Sequence, residues 1–333
     1  MLNQNKKIFI VAEAGNNHEG SYKTAKKLIE EAAKAGADAI KFQTFKTERY
    51  VNKNQKKRFL QLEKFKLKIN EFKSLSQIAK KNKIMFFSTP FDLDSAKELN
   101  NFQKIFKISS GDNNYFSLIK LVANFKKPLI ISTGMSDLKL LNKIYLFIKK
   151  KTKLKVSKNN FSFMHCVSSY PAPNIEANLS AISFLKKKFK DISIGYSDHT
   201  EGMDACIVAA SLGAKIIEKH FTLDNNFSKF RDHKLSLNPR DLKTMIKRIR
   251  NVEELLGLEK KVIQKSEKEG LINSRRGLVA KSFLLKGTKV KIDDVIEVRP
   301  QLGISTDQKI KVIGKILKST IKEGSYFKTK NLR

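Results

Sequence analysis

Eight short runs of β-branched and aromatic residues, each separated from the next by room for a helix, constrain this chain more than any other feature. They are IFIVAEA (8–14), DAIKFQ (38–43), IMFFST (84–89), KIFKIS (104–109), PLIIST (128–133), FSFMHC (161–166), ISIGYS (192–197) and AKIIEKH (214–220). Near-continuous apolar strands belong to a parallel sheet covered by helices on its faces. The segments between them carry helical patterns. In 21–36, Ser21 is placed to cap the first turn and Gly36 to end the last; 69–82, 203–214 and 238–257 read the same way. Eight strand–helix units within about 250 residues predict a (β/α)8 barrel. An open doubly wound sheet is the alternative, but no glycine-rich dinucleotide fingerprint follows the first strand.

The texture changes after residue 257. We expect a barrel over 1–258, a charged linker over 259–272 and a small β-rich domain over 273–333. The last part holds an internal echo between 284–295 and 321–332, aligning Gly287 with Gly324, Val290 with Phe327 and Asp294 with Asn331.

With 67 basic and 32 acidic residues the formal net charge is +35, which invites a nucleic-acid reading. The lysines are dispersed rather than clustered in a recognition motif, and there is no Trp, so a solvated basic surface is expected and no nucleic-acid partner. The two cysteines, Cys166 and Cys206, lie in apolar stretches and imply no disulfide framework. The N-terminal apolar run is short and broken by Glu13, unlike a signal peptide, and no stretch approaches a membrane span. A soluble cytoplasmic protein without a membrane partner is expected.

In a barrel of this kind chemistry belongs at the C-terminal strand ends. Polar residues gather there on strand after strand. His199 and His220 end adjacent strands and can converge on a divalent ion. The competing assignment makes Asp198 or Thr200 a cap for the next helix. Glu218, two residues before His220, points to the same side of its strand. Lys41 and Lys107 interrupt otherwise apolar strands. With Ser110, Ser132, Ser168 and Ser197 they suit a phosphate or carboxylate clamp; one of them could instead form a Schiff base or snorkel to the rim.

The segments AEAGNNHEG (12–20), IKFQTF (40–45), FKISSGDNNY (106–115), ISTGMS (131–136), HCVSSYPAP (165–173), GYSDHTEG (195–202) and EKHFTLD (218–224) together resemble the sialic acid synthase family, and SRRGLVAKSFLLKGTKV (274–290) resembles its C-terminal antifreeze-like domain. The resemblance implies metal-dependent condensation of phosphoenolpyruvate with N-acetylmannosamine or a related acetamido sugar. The products are a nine-carbon 2-keto acid and phosphate. It implies that His199 and His220 hold Mn²⁺, with Mg²⁺ or Co²⁺ as alternatives, and that Lys41, Lys107, Ser110, Ser132, Ser168 and Ser197 bind phosphoenolpyruvate. Glu13, Tyr170 and Asp232 would contact the sugar, Glu13 or Asp112 would transfer a proton, and Glu218 would position water. Arg276 (or Arg275) would reach the sugar's acyl group across a domain-swapped homodimer. Asp112, Ser168 and the FRDHKLS run (230–236) depart from the family's usual residues around the sugar pocket, which leaves the choice open between N-acetylmannosamine and other sugars such as diacetamido ones.

Overall fold

The computed structural model describes residues 7–333; residues 1–6, part of the segment tested above for a signal peptide, lie outside the described residues. The chain divides into two compact units, Met1–Gly257 and Leu258–Arg333.

The first unit contains β1 (Phe9–Gly15), β2 (Ala39–Thr44), β3 (Met85–Pro90), β4 (Phe106–Ile108), β5 (Leu129–Ser132), β6 (Phe161–Cys166), β7 (Ser193–Asp198) and β8 (Ile216–His220). All are parallel, in the order β3-β2-β1-β8-β7-β6-β5-β4, so β1 pairs with β8 and the sheet curls into a nearly closed barrel. No ladder joins β3 to β4 among the described residues. Instead the Gln103 side chain, just before β4, accepts from Ser88 N–H at 2.9 Å and donates to Ser88 C=O at 3.2 Å. One buried amide thus satisfies the β3 edge where the ring lacks a ladder.

Helices surround the ring because their sequences cap and pattern them to do so. In Tyr22–Ala35, Ser21 Oγ accepts from Thr24 N–H, and Gly36 closes the helix at φ 92°. Ala25, Leu28, Ile29, Ala32 and Ala35 form its buried stripe. Pro239–Leu256 begins with Asn238 as cap and proline in the first turn, and buries Leu242, Met245, Ile246 and Ile249. Two short helices, Thr47–Tyr50 and Lys56–Phe65, were not anticipated; they lie in the long connection from β2 to β3.

Strand alternation sorts the side chains into two cores. Ile10, Ala12, Ile40, Phe42, Phe106, Ile131, Phe163 and Ile217 face the helices. Val11, Ala39, Phe87, Ile105, Ile130, Met164 and Ile216 form a separate apolar plug inside the ring. On β7 the plug position is Gly195, where a Cβ would meet Ile216 O at 2.7 Å and Met164 Cγ at 3.2 Å.

In the second unit, Gly277–Ala280 pairs antiparallel with Val295–Val298 over a small core of Leu278, Ala280, Leu284, Val290, Phe327 and Leu332. The internal echo has a structural counterpart. Gly287 and Gly324 both take positive φ (88° and 72°), Val290 and Phe327 are both core, and Asp294 and Asn331 both end 3-10 turns. Residues 259–272, read as a linker, contain a 3-10 turn at Lys265–Glu267 and the start of a short helix, Lys268–Asn273. Among the described residues no helix is long and apolar enough to cross a membrane. Cys166 and Cys206 are both buried free thiols.

Candidate active site

Stepping two residues along each strand from the plug, to the next side chain facing inward, reaches Glu13, Lys41, Thr89, Lys107, Ser132, Cys166, Ser197 and Glu218. Every one is buried. The apolar plug is therefore roofed by a complete polar layer, one residue from each strand.

Four of the eight carry charge and hold each other. Lys41 Nζ lies 2.6 Å from Glu13 Oε2 and 3.6 Å from Glu218 Oε1. Lys107 Nζ donates to both Glu218 oxygens, at 2.8 and 2.9 Å, and Ser197 Oγ donates to Oε1 at 3.0 Å. The lysines do not snorkel: Lys41 is 4% and Lys107 2% exposed. The anions expected beside them are, within the chain, these two glutamates. Burial pushes Glu13 up to about 7, with Lys41 opposing and the Glu218 charge adding to the rise. Burial acts on Glu218 in the same sense, but Lys107 and Lys41 outweigh it and hold its carboxyl down to about 2. One carboxylate is firmly ionised while its neighbour sits near neutrality, the division of labour that acid–base chemistry requires.

Above this layer stand the histidines. His199 follows β7, and its Nδ1–H donates to Val167 O at 2.7 Å, which in the neutral ring puts the lone pair on Nε2. Burial lowers its pKa, but Cys166 and the Val167 carbonyl outweigh it and raise the value. The His220 ring centroid is 5.3 Å from that of His199, and His220 Nδ1 is buried without a protein partner. Burial, then the neighbouring His199 and Lys41, keep His220 well below the ordinary histidine value, hence neutral. A backbone carbonyl fixing one tautomer beside an unpartnered imidazole nitrogen is the donor set a divalent cation takes. Among the described residues no group of three or more His, Cys, Asp or Glu side chains gathers as a complete cage. The pair thus suits an ion whose remaining ligands come from substrate and water. Asp198 and Thr200 cap nothing: the next helix, Asp204–Ser211, has Met203 at its cap, and Asp198 is engaged elsewhere.

Ser110, Asp112, Ser168, Tyr170 and Asp232 line, with His220, a shared cavity of about 1350 Å³. Ser110 Oγ accepts from Gly134 N–H at 3.1 Å, while the buried Ser168 Oγ has no partner. A Cβ on Gly134 would come 2.2 Å from Ser168 Oγ and 2.7 Å from Ser110 Oγ, so only glycine leaves this hydroxyl cradle open. The Tyr170 ring lies tilted against His199, centroids 4.1 Å apart, and the Arg231 guanidinium sits over the Tyr170 ring, 4.7 Å from its centroid. Asp232 is buried, and burial raises its pKa against the pull of Arg231. Asp112 lies outside the polar layer, in the 3-10 turn after β4, where Ser109 Oγ donates to it at 2.7 Å. Arg276 belongs to the second unit, where it donates to Glu297 O at 2.8 Å.

One layer residue was missed, and Gln43, one of the polar strand-end residues, has no role in the sequence reading. Cys166 completes the polar layer, with Sγ 3.5 Å from Ser110 Oγ and 3.7 Å from His199 Nδ1; its position two residues beyond Met164 was the available signal. Gln43 donates to Glu13 at 3.4 Å and accepts from Asn16 at 2.8 Å, tying Glu13 to the cavity wall.

A family model described as the NeuB family matches residues 28–261. The chain belongs to the NeuB family. The family resemblance read from the motifs is thereby borne out. Its NeuB relatives include the N,N'-diacetyllegionaminic acid synthase of Campylobacter jejuni, 40% identical over 96% of this chain and 98% of that protein. The pseudaminic acid synthase of the same species is 33% identical over 98% and 97%. Among solved structures, the N-acetylneuraminic acid (sialic acid) synthetase of Leptospira borgpetersenii, in complex with citrate, superposes with a TM-score of 0.74 at 36% identity, covering 80% of this chain and 90% of that one.

Proposed function

We propose that this NeuB-family chain condenses phosphoenolpyruvate with an acetamido sugar, giving a nine-carbon 2-keto acid and phosphate. The observation that carries the reading is the polar layer, with two buried ammonium groups and two carboxylates of opposite protonation tendency, set beside a hydroxyl cradle and beneath a histidine pair. Lys41 and Lys107, with Ser110, Ser132, Ser168 and Ser197, receive the phosphate and carboxylate. Glu13, already close to neutrality, yields Lys41 to an incoming anion at little cost.

The bond-forming step joins C3 of phosphoenolpyruvate to the sugar's aldehyde carbon; water then adds at C2 and phosphate leaves. His199 and His220 would hold a divalent ion (Mn²⁺, with Mg²⁺ or Co²⁺ as alternatives), which when bound would supply Lewis-acid polarisation of a carbonyl. Glu13 hands its proton to the aldehyde oxygen. Ionised Glu218 stabilises the positive charge growing at C2 and orients the water, while the lysines neutralise the departing phosphate. Tyr170 and Asp232 hold the open-chain sugar. The second unit serves as the antifreeze-like domain, bringing Arg276 to a partner's sugar pocket in a domain-swapped homodimer. The C. jejuni relatives and the unusual residues of the FRDHKLS run (230–236) favour a diacetamido sugar.

The alternative, a Schiff-base aldolase, needs a free lysine amine; Lys41 and Lys107 each contact a glutamate, and burial lowers the Lys107 pKa, so Lys107 is the candidate for that route. The test is phosphate release from phosphoenolpyruvate with N-acetylmannosamine and with a diacetamido sugar, each with Mn²⁺ or EDTA. Sugar-dependent, EDTA-sensitive release is expected. Silence with both sugars from folded, Mn²⁺-loaded protein refutes the proposal, and borohydride trapping with pyruvate then examines the lysine route.

A further inference from the structure

We propose that Asp198 and Lys219, on the far side of the barrel wall from the reaction, form a positioning clamp that sets the geometry of the His199–His220 pair. The inference rests on the metal-holding role proposed above for those histidines.

Asp198 and Lys219 are direct register partners across β7 and β8, each the residue immediately before a histidine. Both are 0% exposed, and Lys219 Nζ lies 2.8 Å from Asp198 Oδ2. Nothing in the proposed chemistry uses either group. Asp198 Oδ1 accepts from Tyr196 O–H at 2.8 Å and Thr200 N–H at 2.9 Å, and Oδ2 also accepts from Cys206 S–H at 3.4 Å. Lys219 donates as well to Thr200 C=O. The backbone N–H and C=O of the residue after His199 are thus both held, by one ion pair anchored on β8 beside His220.

Stability does not account for the pair. Removing two charges from water costs about what their attraction returns, and apolar residues of the same volume would join β7 to β8 at least as well. What apolar packing lacks is direction. The ion pair with its three accessory donors fixes the register and the peptide orientation at the point where the chain turns from strand to ligand-bearing loop. Outer partners that orient metal-binding imidazoles typically change metal affinity tenfold or more when lost.

The test uses the full-length protein and follows free Mn²⁺ by electron paramagnetic resonance, alongside thermal unfolding by circular dichroism. In the double variant D198N/K219M neither charge is left stranded. Near-wild-type unfolding is expected, with Mn²⁺ affinity lowered about tenfold. Tyr196→Phe removes a single donor to the clamp and should weaken Mn²⁺ about threefold. A folded double variant that binds Mn²⁺ within about twofold of wild type overturns the clamp. Should the double variant fail to fold, unchanged Mn²⁺ affinity in Tyr196→Phe overturns it instead. Wild-type protein that takes up no Mn²⁺ removes the metal reading itself; wild type that binds while its variants bind equally removes only the clamp.

Discussion

Replacing Glu218 by Gln would test the charge arrangement directly, because the amide keeps the volume and the Ser197 contact but leaves Lys107 and Lys41 without their shared anion. The Glu218 carboxyl is held at about 2 against an ordinary 4.5. At ~1.4 kcal/mol for each factor of ten, that difference is ~3 kcal/mol of stability residing in the ionised form. Glu218 also raises Glu13, so its removal relieves part of the strain there, and the net loss at pH 7 should be ~2–3 kcal/mol, or roughly 4–12 °C in Tm. The sign is set by the depressed value. The contribution is fully present above 4.5 and is lost as pH falls toward 2, so the gap between wild type and variant should shrink to roughly half by pH 3 and further below it. Urea titrations followed by far-UV circular dichroism at pH 7 and pH 3 measure it; the chain has no Trp to report by fluorescence. A variant as stable as wild type at pH 7, or a gap that does not change with pH, would refute the reasoning.

His220→Ala should abolish phosphate release while the circular dichroism spectrum and Tm stay close to wild type; retained turnover contradicts the metal assignment. Gly134→Ala drives a methyl into the Ser168 and Ser110 hydroxyls, and should raise the KM for phosphoenolpyruvate by about tenfold or more with little change in the KM for sugar. Arg276→Ala should do the reverse, raising the sugar KM alone, if the second unit completes a partner's pocket; steady-state kinetics with each substrate varied in turn separates the two.

The barrel is legible because strands buried on both faces must be apolar throughout, so each registers as a run such as FSFMHC (161–166), which coincides with β6 residue for residue. Lys41, Lys107 and Glu218 stand out for the same reason: a charge inside such a run conflicts with burial and demands a partner. What the runs do not reveal is which partner. Glu13 and Glu218 satisfy the lysines only because strand order places β1 between β2 and β8 and the ring folds β4 toward them. Asp198 looks like a helix cap in sequence, and nothing local distinguishes a cap from half of an ion pair with a residue on the next strand. Cys166 was passed over because a thiol in an apolar run is usually packing; its standing as a layer residue depends on counting inward from the plug. The helices Thr47–Tyr50 and Lys56–Phe65 lack a clear apolar stripe, with Leu62 and Phe65 the only buried residues of the second, so periodicity could not find them.

The joint between β3 and β4 bears on the chemistry as well as the fold. Lys41 stands on β2, one strand to one side of that joint, and Lys107 stands on β4, directly on the other. Elsewhere around the ring, neighbouring strands are held by repeated backbone bonds; here the Gln103 amide grips a single residue, Ser88. Within the chain the two ammonium groups are held together by Glu218 from β8. When an anion takes over from that carboxylate, the backbone restraint left on their spacing along this arc is the Gln103 contact. A ligand carrying two anionic charges that displaces Glu218 therefore meets two cations whose strands are joined, on this side of the ring, by one amide side chain rather than by a ladder.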